Sequence, residues 1–78
     1  MKAKALTDLF SVVDEQGTHT WTIGETYHIS PRADAMDITS DLGTLSVTYT
    51  DYWYNMCEEL FGIDRALIDL YAEQQRRK

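Results

Sequence analysis

The segment Leu45–Leu60, LSVTYTDYWYNMCEEL, contains the point at which the hydrophobic period of the chain changes. Before Thr50, the apolar residues Leu45, Val47 and Tyr49 alternate with polar ones, which is the period of a half-buried strand. After Thr50, apolar residues recur at the 3.6-residue spacing of an amphipathic helix. The segment therefore predicts an α+β protein with its strands first and its helices last.

Four to five short antiparallel strands are expected before Thr50. They are predicted at residues 9–14, at Thr18–Ile23, around Tyr27 and Ile29, from Met36, and after the turn Asp41–Gly43, with a further turn at Glu15–Gly17 and a loop at Ser30–Ala35. The opening segment has an alternative, because Leu6, Leu9, Phe10 and Val13 also fit a short helix. The strand spacing resembles that of SH3-like domains, which implies that the sheet closes as a small barrel. No motif accompanies this resemblance, so it implies no functional residue.

One or two helices are predicted after Thr50. Thr50 or Asp51 is a suitable N-cap for the first, and Gly62 can end it. Its apolar arc holds Tyr52, Trp53, Met56, Cys57, Leu60 and Phe61, its acidic arc holds Asp51, Asn55, Glu58 and Glu59, and Tyr54 falls at the margin between them. Asp64 can cap a second helix from Arg65 to about Gln75. The chain is thus expected to be one domain, 1–78, mainly β over 1–50 and helical over 51–76.

The charge is negative and unevenly distributed. The 78 residues include 13 acidic and 7 basic ones, for a net charge of −6. The basic residues lie mainly at the two ends, so that residues 5–75 hold only Arg32 and Arg65 against all the acidic ones. This balance argues against direct binding to nucleic acid or to an anionic membrane. No apolar run approaches the ~18 residues of a membrane span, and the expected location is the cytoplasm, or the host cytoplasm if the protein is phage-encoded.

Reactive side chains are few. Cys57, His19 and His28 are the candidates for nucleophilic or metal chemistry, and their spacing matches no standard pattern. A single cysteine forms neither an internal disulfide nor a Cys-rich zinc site. We therefore expect no enzyme activity, no cofactor and no metal, and an enzyme with Cys/His chemistry is the least favoured alternative.

The sequence favours a small acidic, non-enzymatic protein-binding module. Phage-encoded anti-defence and anti-CRISPR proteins and DNA mimics share this size and charge, which suggests an inhibitor of a basic, nucleic-acid-handling protein. The expected contact residues are Asp37, Asp41, Asp51, Tyr54, Glu58 and Glu59. The alternative is a structural or assembly protein, because the second helix has a wide apolar arc. It would form a homodimer through Leu67, Ile68 and Tyr71.

Overall fold

The computed structural model describes residues 1–77 and confirms the α+β class, with strands followed by two helices. The elements are β1 (Lys2–Lys4), β2 (Ser11–Asp14), β3 (Gly17–Thr20), β4 (Thr26–Pro31), β5 (Met36–Thr39), β6 (Thr44–Val47), α1 (Asp51–Phe61) and α2 (Arg65–Arg76). All paired strands are antiparallel.

The strands form two separate sheets. One has four strands in the order β1-β4-β5-β6, and the other is the β2–β3 hairpin. The barrel that the SH3-like spacing implied is therefore not closed among the described residues. The sheet pairs each strand with a sequence neighbour except β1, which reaches β4 through register pairs such as Ala3 with Tyr27.

The four-stranded sheet has one buried and one solvent-facing side. Buried side chains alternate along the strands, as Tyr27, Ile29 and Pro31 do in β4 and as Leu45 and Val47 do in β6. The core cluster joins these residues to Met56, Cys57 and Leu60 of α1 and to Ile68 of α2. The buried side of the sheet therefore packs against the buried sides of the two helices.

The opening segment confirms its strand prediction only in part, and the alternative prediction of a short helix is wrong. No short helix forms there; instead Lys2–Lys4 is a strand that the sequence did not predict. Its three residues carry little strand signal of their own. They are extended because they pair with β4. The first predicted strand is confirmed only from Ser11, and the predicted loop Ser30–Ala35 begins two residues later, since Pro31 still belongs to β4.

Both predicted helix starts and the first helix end are confirmed. The Thr50 side chain accepts a hydrogen bond from the Trp53 amide, as an N-cap does. Gly62 ends α1 in the left-handed conformation, with φ of 69°, and its amide bonds back to Glu58. Asp64 occupies the N-cap of α2, although its side chain makes no capping hydrogen bond.

Candidate functional site

The solvent-facing side of α1, here called the α1 outer face, consists of Asp51, Tyr52, Asn55, Glu58 and Glu59. Met56, Cys57, Leu60 and Phe61 occupy the opposite side and are buried. Tyr52 is 56% exposed, and its ring meets Trp53 edge-on with centroids 5.2 Å apart. The face therefore presents an aromatic ring among carboxylates.

The structure reverses the predicted positions of Tyr52 and Tyr54. Tyr54 is only 8% exposed and belongs to the core, so it contributes nothing to an outward contact surface. Its ring stacks on Tyr49 with centroids 5.9 Å apart, and the Arg65 guanidinium lies 4.1 Å from the ring centre. The second helix explains the reversal, because α2 covers the margin of α1 where Tyr54 lies.

The Tyr54 hydroxyl also ties the two helices together. It donates a 2.5 Å hydrogen bond to Asp69 of α2. Burial, reinforced by this bond to a carboxylate, raises the pKa of Tyr54 to about 12. Arg65 lies within salt-bridge distance of Asp51 on α1, at 3.0 Å, and of Asp69, at 4.0 Å. Asp51, one of the expected contact residues, is thus already paired within the chain.

Two further expected contact residues are also engaged internally. Arg32 holds Asp37 through two hydrogen bonds of 3.0 and 3.1 Å. Asp41 accepts hydrogen bonds from the hydroxyls of Tyr27, at 2.5 Å, and Thr22, at 2.8 Å. Burial and the bond to Asp41 raise the pKa of Tyr27. Asp37 lies on the sheet and Asp41 in the β5–β6 turn, so neither belongs to the α1 outer face.

Glu58 and Glu59 remain as the carboxylates of the α1 outer face that form no salt bridge within residues 1–77. Of the six expected contact residues, the structure brings Asp51, Glu58 and Glu59 together on one surface. It adds Tyr52 to them and removes Tyr54.

The solvent-facing side of the four-stranded sheet, called the outer sheet face, has the opposite charge. Cross-strand pairing and alternation place Lys2, Lys4, Thr26, His28, Ser30, Asp37, Thr39, Thr44 and Ser46 on it. Arg32 reaches this face to bind Asp37 and Ser46. This face carries three basic side chains (Lys2, Lys4 and Arg32) and one acidic side chain, Asp37. The sequence did not predict that the two N-terminal lysines share one face of the sheet.

The expected self-association residues of α2 divide into two groups. Ile68 is fully buried, which removes it from any exposed contact surface. Leu67 and Tyr71 are exposed, and Leu70 between them is exposed as well. These three define the α2 apolar row, which follows the i, i+3, i+4 spacing of one helix side.

A polar cluster that the sequence did not predict lies beneath the β2–β3 hairpin. His19 is fully buried; its Nδ1 is 2.5 Å from Ser40 Oγ, and its Nε2 is 2.8 Å from Asp14 Oδ2. The Asp14 contact is close but lies off the N–H direction, so it is a polar contact rather than a directed hydrogen bond. The alternation of His19 with Trp21 indicated an inward side chain, but Ser40 is 21 residues away and had no sequence signal.

The three side chains of this His19 cluster (Asp14, His19 and Ser40) have the residue types of a hydrolytic triad. However, Ser40 Oγ also lies 2.8 Å from the Gly43 carbonyl and 3.2 Å from the Leu42 amide, contacts that close the β5–β6 turn. The imidazole has no exposed surface. The cluster is therefore arranged to join the hairpin to the turn.

Cys57 and His28 lie apart from this cluster, in α1 and on the outer sheet face. Burial raises the pKa of the Cys57 thiol to about 12, which keeps it protonated at neutral pH. Among residues 1–77, no group of three or more His, Cys, Asp or Glu side chains is arranged to hold a metal ion. No helix in the same part of the chain has the length and apolar character to cross a membrane.

Comparisons with known proteins found no matching family model, no similar curated protein and no similar solved structure.

Proposed function

We propose that the protein is a small, non-enzymatic, cytoplasmic binding module that engages a basic protein through the α1 outer face. The observation that carries this proposal is Tyr52, an exposed aromatic ring beside two carboxylates, Glu58 and Glu59, that form no salt bridge within residues 1–77. Exposed aromatic residues supply much of the binding energy at protein interfaces, while surrounding charges supply orientation and association rate. A nucleic-acid-handling protein is the proposed partner class, because its basic cleft offers lysine and arginine side chains to carboxylates.

The proposed contact is local rather than an imitation of a DNA duplex. The longest dimension of the protein is 33 Å, and duplex DNA of that length carries about 19 phosphates, of which roughly half face one side. The α1 outer face offers three carboxylates, one of them paired with Arg65. Three charges match a small cluster of basic side chains, so inhibition would be stoichiometric occupation of one such cluster.

Affinity capture from a bacterial lysate tests this proposal with three baits: the wild type, the double variant Glu58→Lys/Glu59→Lys, and the control Glu15→Lys/Glu25→Lys. Both double variants change the net charge equally, but only the first alters the α1 outer face. The wild type and the control should retain the same basic protein, and the first variant should lose it. Capture should weaken with salt, because exposed charge contacts are screened.

Tyr52→Ala then measures the aromatic contribution with the purified partner. The expected loss of affinity is about 10-fold or more, or ~1.4 kcal/mol. Equal capture by both double variants, or binding indifferent to salt and to Tyr52→Ala, would show that the α1 outer face is not the contact surface.

A second candidate function is self-assembly through the α2 apolar row, favoured by the exposure of Leu67, Leu70 and Tyr71. Three partly exposed side chains fall well short of the ~800 Å² per partner of a stable interface, so this candidate predicts a weak dimer. Sedimentation velocity over a range of concentrations measures it, with Leu70→Glu as the disrupting variant and Ala66→Glu on the same helix as the control. A wild type that stays monomeric at millimolar concentration excludes it.

A further inference from the structure

The hydrogen bonds of the β2–β3 hairpin to the rest of the domain all reach one short segment, Thr39–Thr44, while Val12 and Trp21 pack against the core cluster. One backbone hydrogen bond joins the Asp41 amide to the Thr20 carbonyl, at 2.9 Å. Trp21 Nε1 donates to the Thr39 carbonyl at 2.8 Å, and Gln16 Nε2 donates to the Thr44 carbonyl at 3.3 Å. The His19 cluster is the fourth polar connection. No backbone ladder links the hairpin to the four-stranded sheet.

Proton positions in the His19 cluster depend on Asp14. An ionised carboxylate only accepts, so the Asp14 charge favours a proton on Nε2 of His19, although this N–H does not point directly at the carboxylate oxygen. The other ring nitrogen, Nδ1, either accepts the Ser40 hydroxyl proton or donates to Ser40 Oγ. In the second case the hydroxyl proton turns to the Gly43 carbonyl, 2.8 Å away. Without the Asp14 charge, the fully buried imidazole loses the carboxylate that lies 2.8 Å from Nε2, and a buried polar group without a favourable partner is costly.

We propose that the β2–β3 hairpin opens as a unit when the Asp14 carboxylate is neutralised or removed, while the four-stranded sheet and both helices stay folded. Opening would expose His19 and Trp21, which is 2% exposed in the closed state. This conformational device is independent of the α1 outer face, which lies on another element.

Few other charged groups adjoin the His19 cluster. Asp41, in the turn, is next to Ser40 in sequence, but hydrogen bonds from Tyr27 of β4 and from Thr22 occupy both of its carboxylate oxygens. Glu15, in the hairpin turn, is exposed. Asp14 is therefore the ionisable group whose charge directly meets the imidazole.

The ionisation of Asp14 supports this assignment. Burial alone would raise its pKa, but the hydrogen bond from the Gln16 amide, at 2.8 Å, and the contact with His19 together lower the pKa below 3.8. The neutral form should therefore become populated, and the hairpin open, only as the pH falls below 3.8.

Amide hydrogen exchange at neutral pH tests the proposal with wild type, Asp14→Ala and the neighbouring control Glu15→Ala. Loss of the charged neighbour of a buried polar group corresponds to an opening equilibrium constant about 5- to 150-fold larger. Amides of β2 and β3 should therefore exchange faster by that factor in Asp14→Ala, those of β4 and β5 should keep their wild-type rates, and Glu15→Ala should match wild type. Asp14→Asn keeps an acceptor oxygen and should fall between.

Acid titration supplies a second measurement. In a Trp53→Phe background, Trp21 is the remaining tryptophan, and its emission should shift to the red as the pH falls below 3.8. In the same background, Asp14→Ala should show red-shifted Trp21 emission already at neutral pH, and this emission should change little as the pH falls. Equal acceleration of hairpin and sheet amides, global unfolding of both Asp14 variants, or unchanged hairpin exchange in Asp14→Ala would each overturn the proposal.

Discussion

Replacing Tyr54 with phenylalanine removes one hydroxyl group from the contact between the two helices and keeps the ring. The hydroxyl donates to Asp69 at 2.5 Å. A hydrogen bond to a charged acceptor contributes about 1.5–3 kcal/mol. The Asp69 side chain is 53% exposed, so water can replace the lost donor, and we expect a loss near the lower end, about 1–2 kcal/mol in the free energy of unfolding.

Tyr54→Ala removes more. It deletes a buried ring, its stacking on Tyr49 and its contact with the Arg65 guanidinium. Truncating a buried large aromatic residue costs about 3–5 kcal/mol. A 78-residue domain has a total stability of roughly 4–12 kcal/mol, so Tyr54→Ala should lose a large part of it. Tyr52→Ala is the matched control and should change stability by no more than about 0.5 kcal/mol, because Tyr52 is exposed.

Urea unfolding followed by circular dichroism measures all three variants, with the slope of free energy against urea used to check two-state behaviour. The expected order of stability is wild type and Tyr52→Ala, then Tyr54→Phe, then Tyr54→Ala. A Tyr52→Ala protein less stable than Tyr54→Ala would refute the assignment of the two tyrosines to opposite sides of α1.

Three other perturbations test separate parts of the structure. Because burial raises the Cys57 thiol pKa to about 12, the thiol should react with a disulfide reagent at neutral pH far more slowly in the folded state than in urea; equal rates would contradict its burial. Gly62→Ala should cost about 1 kcal/mol in thermal or urea unfolding, since φ is 69° and an added Cβ would lie 3.2 Å from a Leu6 methyl carbon; a neutral effect would argue against the left-handed end of α1. Folding lowers the pKa of Asp14 below 3.8, so the stability from its ionised form is present above that pH and lost as the pH falls through the lowered value. Urea midpoints should therefore fall less between pH 5 and pH 3 in Asp14→Ala than in wild type, and parallel curves would contradict this.

The helices and the central strands could be predicted from the sequence because their signals are local. The N-cap at Thr50, the glycine at Gly62 and the alternation around Leu45 and Val47 each act within a few residues. The strand Lys2–Lys4 could not be predicted in the same way. It exists through pairing with Thr26–His28, more than 20 residues away, and a three-residue segment has no period to detect.

The contact residues were predicted less well because helix periodicity gives the direction of each side chain around the helix axis but not which element packs against it. Tyr52 and Tyr54 both lie near boundaries between the arcs of α1, and the position of α2 decides which of them is covered. The same holds for Ile68, which periodicity places on a broad apolar arc and which packing buries. The salt bridge between Asp51 of α1 and Arg65 of α2 could not be predicted either, because it depends on how the two helices pack.

The distribution of charge over the fold constrains the proposed partner more than the net charge does. Helices cover one side of the sheet, so the α1 outer face and the outer sheet face both point away from the core, and they carry opposite signs. Lys2 and Lys4 lie on the outer sheet face and form no salt bridge with Glu58 or Glu59 within residues 1–77. For the proposed basic partner, the α1 outer face would be attractive and the outer sheet face repulsive, and this asymmetry would orient the approach. Under the proposed function, the lysines of the outer sheet face would therefore strengthen the selectivity of the α1 outer face.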